Sequence, residues 1–280
     1  MDPLIITVAP NGARKTKADH PALPIRPAEI AVTARNAMKE GAAMLHLHVR
    51  DEKEAHSLDA ARYGEAIACV RDAVGHDMII QMTTEAVGIY TPEQQMASVL
   101  AVLDHAKGEQ PDAVSLAVKE LIPEGGEVKA ASFLDDLDRA NILCQYIVYS
   151  ADELKRFRAL VACGVIPKHS RSVLFVLGRY SQEGSKVSDL DPFLSQSVTD
   201  LCWMVCAFGA KEGAIMRTAI ARGGHCRVGF ENNLYLKEGV QAPDNAALVA
   251  GVARMTRTLH RPVADAQGAR ALMGEREPSL

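Results

Sequence analysis

Met44-Leu45-His46-Leu47-His48-Val49 is the stretch whose reading decides the fold and locates its chemistry. It is a short run in which two imidazoles alternate with branched apolar residues. In a strand, side chains at i and i+2 share a face. His46 and His48 therefore point one way, and Leu45, Leu47 and Val49 the other. Asp51 opens the loop that follows. Outward from this run the same kind of segment recurs at 4–8 (LIITV), 78–82 (MIIQM), 113–117 (AVSLA), 143–149 (LCQYIVY), 173–177 (VLFVL), 202–208 (CWMVCAF) and 226–230 (CRVGF). Helical patterns separate them. One opens at Pro27, and others cover 58–74, 91 toward 107, 132–140, 151–163, 191–200, 210–221 and 243–259, with a closing helix at 264–273. Pro27 and Pro92 stand at first-turn positions, where a missing N–H costs nothing.

Strands that are apolar almost without interruption are buried on both faces, so the sheet is expected to be parallel. Eight strand–helix units over this length fit an α/β protein of the (β/α)8 TIM-barrel type, one domain spanning 1–280. An open doubly wound sheet is the alternative. No GxGxxG follows the first strand, which removes its dinucleotide-binding version. In a barrel the apolar face of 44–49 belongs against the helices, which turns both histidines toward the barrel axis, near the catalytic mouth.

Composition agrees with an ordinary globular protein and narrows its partners. The chain has 280 residues, 48% hydrophobic and 24% charged, with a formal net charge of -4. There is no basic block, so a nucleic-acid or anionic-membrane role has no support. No apolar stretch is long enough for a transmembrane helix, and the N-terminus lacks the features of a signal peptide. The six cysteines form no CxxC pair, and Cys69, Cys144, Cys202 and Cys206 lie in apolar runs, the usage expected of buried thiols in a reducing cytoplasm.

Two neutral imidazoles side by side at a barrel mouth are natural zinc ligands, or else core histidines satisfied by neighbouring polar groups. Catalytic zinc takes three protein ligands, and Glu231, just past the eighth apolar run, is the candidate third; otherwise it is a surface loop acid. Arg227, within that run, is placed to meet a substrate carboxylate or a barrel acid. Thr83, Thr84 and Ser115 at strand ends are candidate hydrogen-bond donors to substrate, and Arg14 with Lys15 a candidate anion contact. The histidines at 20, 56, 76, 105, 169 and 260 read mostly as solvated.

With these residues in view, the chain resembles the beta-keto acid cleavage enzyme family, whose namesake is the 3-keto-5-aminohexanoate cleavage enzyme. The likeness runs nearly end to end and is carried by GAAMLHLHVRD at 41–51 and GGHCRVGFENNLYLKEG at 223–239. It implies a barrel that binds a divalent metal, usually zinc, through His46, His48 and Glu231. It also implies a homotetramer, acetyl-CoA as second substrate, and a Claisen-type exchange converting a β-keto acid and acetyl-CoA into acetoacetate and a new acyl-CoA, with Arg227 on the substrate carboxylate. A metal-dependent lyase or hydrolase working without CoA is the alternative. The chain departs from the family pattern at several points. Asn232 stands where the family has a catalytic Asp, Glu85-Ala86 where it has Gly-Gly, Ile147 where it has an acid, and Ala210-Lys211 where it has Gly-Arg. Arg14 stands where the namesake carries an acid.

Overall fold

In the computed structural model, which describes residues 1–179 and 184–274, eight parallel strands close into a barrel. They are β1 (Ile6–Val8), β2 (Met44–Leu47), β3 (Ile79–Thr83), β4 (Ala113–Ala117), β5 (Leu143–Val148), β6 (Ser172–Leu177), β7 (Cys202–Ala207) and β8 (His225–Val228). The order around the ring is β1-β8-β7-β6-β5-β4-β3-β2, so the first and last strands are neighbours. The helices outside the ring are α1 (Pro27–Lys39), α2 (Ala60–Val74), α3 (Pro92–Leu103), α4 (Glu127–Arg139), α5 (Ala151–Ala162), α6 (Glu212–Ala221) and α7 (Asn245–Leu259). The closing helix α8 covers Ala266–Met273, two residues shorter at its start than expected because Asp265 caps it by accepting from Gly268 N.

Alternation along each strand builds two cores. Leu45, Leu47, Ile80, Met82, Val114, Leu116, Tyr146 and Val205 pack outward under the helices. Ile5, Met44, Ile79, Ala113, Leu143 and Cys202 fill the start of the barrel from inside, and Ala266, Ala269 and Met273 of α8 join that inner cluster. Above this apolar floor the inward positions turn polar: Thr7, His46, Gln81, Ser115, Gln145 and Arg227, every one of them buried.

Three elements differ locally from the sequence expectation. The run at 44–49 leaves the barrel at His48, because Val49–Arg50 pairs instead with His56–Ser57 in a small antiparallel ribbon. Between β6 and β7 the helix expected at 191–200 is a single turn, Asp191–Leu194. Beyond it Ser195 Oγ donates to Pro192 O and Ser197 Oγ contacts Thr199 Oγ1, local bonds that compete with a helical ladder. The helix expected at 132–140 begins five residues earlier, at Glu127. Among the described residues no helix is long and apolar enough to cross a membrane. All six cysteines are free; Cys202, Cys206 and Cys226 are buried, while Cys69 and Cys144 are only partly so.

Candidate metal centre and active site

His46 and His48 enter the barrel from the end of β2, and Glu231 reaches over from the loop after β8. The three lie on either side of β1 and are buried. His46 Nε2 is 3.1 Å from His48 Nε2, and Glu231 Oε2 stands 3.5 Å from each. One ligand atom from each of the three falls within 4.8 Å of the others. Glu231 Oε2 is buried with no hydrogen-bond partner. Two imidazole nitrogens and an unpartnered carboxylate oxygen around one point make a donor set that fits a divalent cation.

The electrostatics favour the protonation states a metal needs. Burial, with Arg227 nearby, pushes His46 down to about 4, and burial lowers His48 well below the usual histidine range. Both rings are therefore neutral at pH 7. Burial opposes ionisation of Glu231, but the charge of Arg227 and the neighbourhood of His46, Arg179 and Lys15 outweigh it, and its pKa is lowered. Arg227 Nη2 donates to Glu231 Oε1 at 3.0 Å and to Cys206 Sγ at 3.4 Å, while its buried Nε has no partner.

A relay of side chains across the barrel orients His46. Gln81 lies beside His46 in the β2–β3 register, and its Oε1 is 2.8 Å from His46 Nδ1. Gln81 Nε2 donates to Gln145 Oε1 at 3.2 Å, and Gln145 Nε2 donates to Ser172 Oγ at 3.3 Å and faces Met204 Sδ at 3.8 Å. A thioether can only accept. Met204 therefore favours the Gln145 amide with its nitrogen toward β7, which leaves each carbonyl in the relay facing back toward His46. The proton of His46 sits on Nδ1, and the Nε2 lone pair is free for a metal.

The loop after β1 closes the site from above. Gly12 has φ +61°, and a Cβ built there would lie 2.5 Å from Glu231 Cγ, so only glycine lets the loop pass this close. Arg50 clamps the same loop by donating to Gly12 O and Lys15 O, and Asn11 Nδ2 donates to His48 O. Lys15 Nζ donates to Glu231 O at 2.7 Å, and burial lowers its pKa.

Of the residues singled out from sequence, Thr83, Thr84, Ser115 and Ile147 line a narrow cavity of about 10 Å³, room for about one water, with His46, Arg227 and Glu231. The hydroxyl of Thr83 already accepts from Glu85 N, and that of Thr84 donates to Ser115 O. Arg14 lines a second, open cavity of about 260 Å³ with Lys15, Arg179 and Phe208. Asn232 is buried among neither set of lining residues, and both its amide atoms lack partners. Lys211 caps the start of α6. His20 and His56, read as solvated, are buried: His20 Nε2 meets Ala242 O, and His56 Nε2 meets Glu85 O. Gln81, Gln145 and the partly buried ion pair of Arg179 with Glu85 were not singled out as site residues. A lone polar residue inside an otherwise apolar strand is the signal that could have found the glutamines. The ion pair joins two separate loops and leaves no sequence pattern.

Comparison with known proteins gives the family. The chain is 31% identical over 280 residues to a 3-keto-5-aminohexanoate cleavage enzyme of Fusobacterium nucleatum subsp. nucleatum, with 98% of each chain covered. It is 26% identical over 285 residues to a 3-oxoadipate:acetyl-CoA acetyltransferase of Cupriavidus necator, covering 97% of this chain and 95% of that one. Among solved structures, the apo structure of ObcA superposes with a TM-score of 0.73 at 15% identity, over 91% of this chain and 66% of that one, a likeness of fold. The model of the beta-keto acid cleavage enzyme family matches residues 3–274, and the chain belongs to that family.

Proposed function

We propose that the protein is a zinc-dependent enzyme that cleaves a β-keto acid by acyl exchange with acetyl-CoA. The observation that carries this reading is the convergence of His46, His48 and Glu231 beside Arg227 at the mouth of the barrel. The acetyl-CoA-dependent activity named for the Cupriavidus relative supports the choice of second substrate.

In this reading His46 Nε2, His48 Nε2 and Glu231 Oε2 hold the ion. The chemistry such an ion supplies is Lewis acidity at a carbonyl oxygen. The bond between the keto carbon and C2 of the β-keto acid and the thioester C–S bond of acetyl-CoA break, and a bond forms between C2 and the acetyl carbonyl carbon. Acetoacetate leaves, and the displaced acyl group ends on the CoA sulfur. Arg227 holds the substrate carboxylate through its free Nε–H, a charge-assisted bond that fixes orientation. Arg14 and Lys15 line the open cavity and offer positive charge to the phosphates of CoA. Asn232 takes no proton, because an amide has no basic site at neutral pH. A homotetramer and a cytoplasmic setting complete the reading.

Asn232 favours a second reading, a metal-dependent lyase or hydrolase that acts without CoA. One experiment separates the two. The zinc-loaded protein is offered a panel of β-keto acids with and without acetyl-CoA, and acetoacetate, thioester and free acetate are quantified. Acetoacetate and a matched thioester are expected only when acetyl-CoA is present. Cleavage to free acids without it would establish the second reading, and no conversion under either condition would refute both.

A further inference from the structure

The proposed exchange needs a group that takes one proton from C2 of the β-keto acid and later gives one back. An amide and an alkyl side chain cannot do this, which removes Asn232 and Ile147. Glu231 is committed: its Oε1 accepts from Arg227 Nη2, and its Oε2 faces the two imidazoles. Glu120 lines the narrow cavity but not the open one, and its Oε2 accepts from Ala86 N–H. Glu85 is the other carboxylate on the open cavity.

Glu85 stands where the two cavities meet. It lines the open one beside Arg14, Lys15 and Phe208, and the narrow one beside His46 and Arg227. Its Oε2 is 3.8 Å from His48 Nε2, so the carboxylate borders the candidate metal centre without being one of the three groups that converge there. Its Oε1 is ion-paired with Arg179. The guanidinium thus holds one oxygen and compensates the charge, and the other oxygen is directed toward the metal centre. The backbone beneath is pinned as well. Glu85 N–H donates to Thr83 Oγ1 at 3.1 Å, Glu85 O meets His56 Nε2 at 2.8 Å, and Ala86 N–H donates to Glu120 Oε2 at 3.3 Å. A loop held at these points keeps its side chain in one place, as proton transfer in a fixed geometry requires.

Resting on the acyl-exchange reading above, we propose that Glu85 is the general base of the reaction and that Arg179 positions it. Glu85 Oε2 takes the C2 proton, and the C2–H electron pair passes into the enolate. C2 then bonds to the acetyl carbonyl carbon as the thioester C–S bond breaks. The released thiolate adds to the keto carbon, the bond from that carbon to C2 breaks, and its electron pair returns to C2. Glu85, now a carboxylic acid, gives the proton back to C2. Acetoacetate leaves and the carboxylate is regenerated.

The test follows hydrogen exchange at C2, which needs the base but not the second substrate. 3-Oxohexanoate, 3-oxoadipate and 5-amino-3-oxohexanoate are incubated in heavy water with the zinc-loaded full chain, without acetyl-CoA, and loss of the C2 proton signal is followed by NMR. The wild type is expected to accelerate exchange of at least one acid over buffer holding the same zinc. Glu85→Gln, which keeps an acceptor for Arg179, is expected to lose at least about 100-fold of that acceleration, and Glu85→Asp to recover part of it. Zinc affinity, measured by chelator competition, is expected to change by less than about 10-fold, the smallest effect typical of a residue that supports a metal ligand. A Glu85→Gln protein that exchanges C2 hydrogen as fast as the wild type would overturn the proposal, as would a wild type that exchanges none of the acids faster than buffer. A loss of exchange matched by an equal loss of zinc affinity would also overturn it, making Glu85 a support of the metal centre. Exchange that depends on Glu85, with no thioester product once acetyl-CoA is added, would uphold the base and refute the acyl exchange. Thioester formation undiminished in Glu85→Gln would uphold the reaction and refute the base.

Discussion

Replacing Gln81 by methionine removes the acceptor from His46 Nδ1 while nearly keeping side-chain volume. The bond it removes is 2.8 Å long and fully buried, with Gln81 0% exposed. Outer partners of metal-bound histidines typically contribute about 10- to 100-fold in metal affinity, or about 1.4–2.7 kcal/mol. Without Oε1 the ring is free to exchange tautomers and to rotate, so the weakening is expected within that range. Gln145 Oε1 also loses its donor, which costs about 1–3 kcal/mol of folding stability. The assay is competition for zinc between the apo-protein and a chromophoric chelator, with circular dichroism confirming the fold. Gln145→Met serves as a graded control, because it leaves Gln81 in place and removes only what fixes its amide direction; a loss of a few-fold is expected. If folded Gln81→Met held zinc as tightly as the wild type, the relay would have no part in orienting His46.

Two further perturbations test other links. Gly12→Ala places a methyl group 2.5 Å from Glu231 Cγ at a φ of +61°, so it is expected to cost about 1–2 kcal/mol of stability and to weaken zinc binding by displacing Glu231; urea melts and the same chelator competition measure both. His225, whose Nδ1 accepts from Ile5 N at 3.0 Å, is held by burial down to about 3. Its folded pKa lies below the unfolded value of about 6.5, so it stays neutral in the fold, and stability is lost as pH falls from about 6.5 toward 3. At pH 5 the loss amounts to about 2 kcal/mol, and His225→Asn, which keeps an acceptor for Ile5 N, is expected to lose about that much less between pH 7 and pH 5 in urea midpoints. An identical pH slope for the two proteins would show that His225 does not resist protonation.

The barrel was legible because its signal is repeated and local. Each strand is a short apolar run, and the His-Leu-His alternation fixes which face looks inward without any knowledge of the neighbours. Glu231 could be found because it stands just where an apolar run ends. The failures have the opposite character. The stretch at 191–200 carries helix-compatible residues, yet hydroxyls bonding to nearby backbone end the helix after one turn. Gln81 and Gln145 were absorbed into strands read as simply apolar, because their role depends on a register between β2 and β3 and on a chain of bonds through β5. Glu85 and Arg179 meet only once β3 and β6 are in place. Asn232 drew notice by its neighbours in sequence, but it is buried and lines neither cavity.

Because β8 docks against β1, which in turn docks against β2, the three donor groups come from opposite ends of the polypeptide and meet only when the ring shuts. A nascent chain on the ribosome holds the histidine pair early yet lacks its carboxylate until nearly all of it has emerged. Assembly of this donor set is thereby deferred to the closing of the ring, so the rate at which refolding protein gains the ability to bind a divalent ion is expected to follow barrel completion.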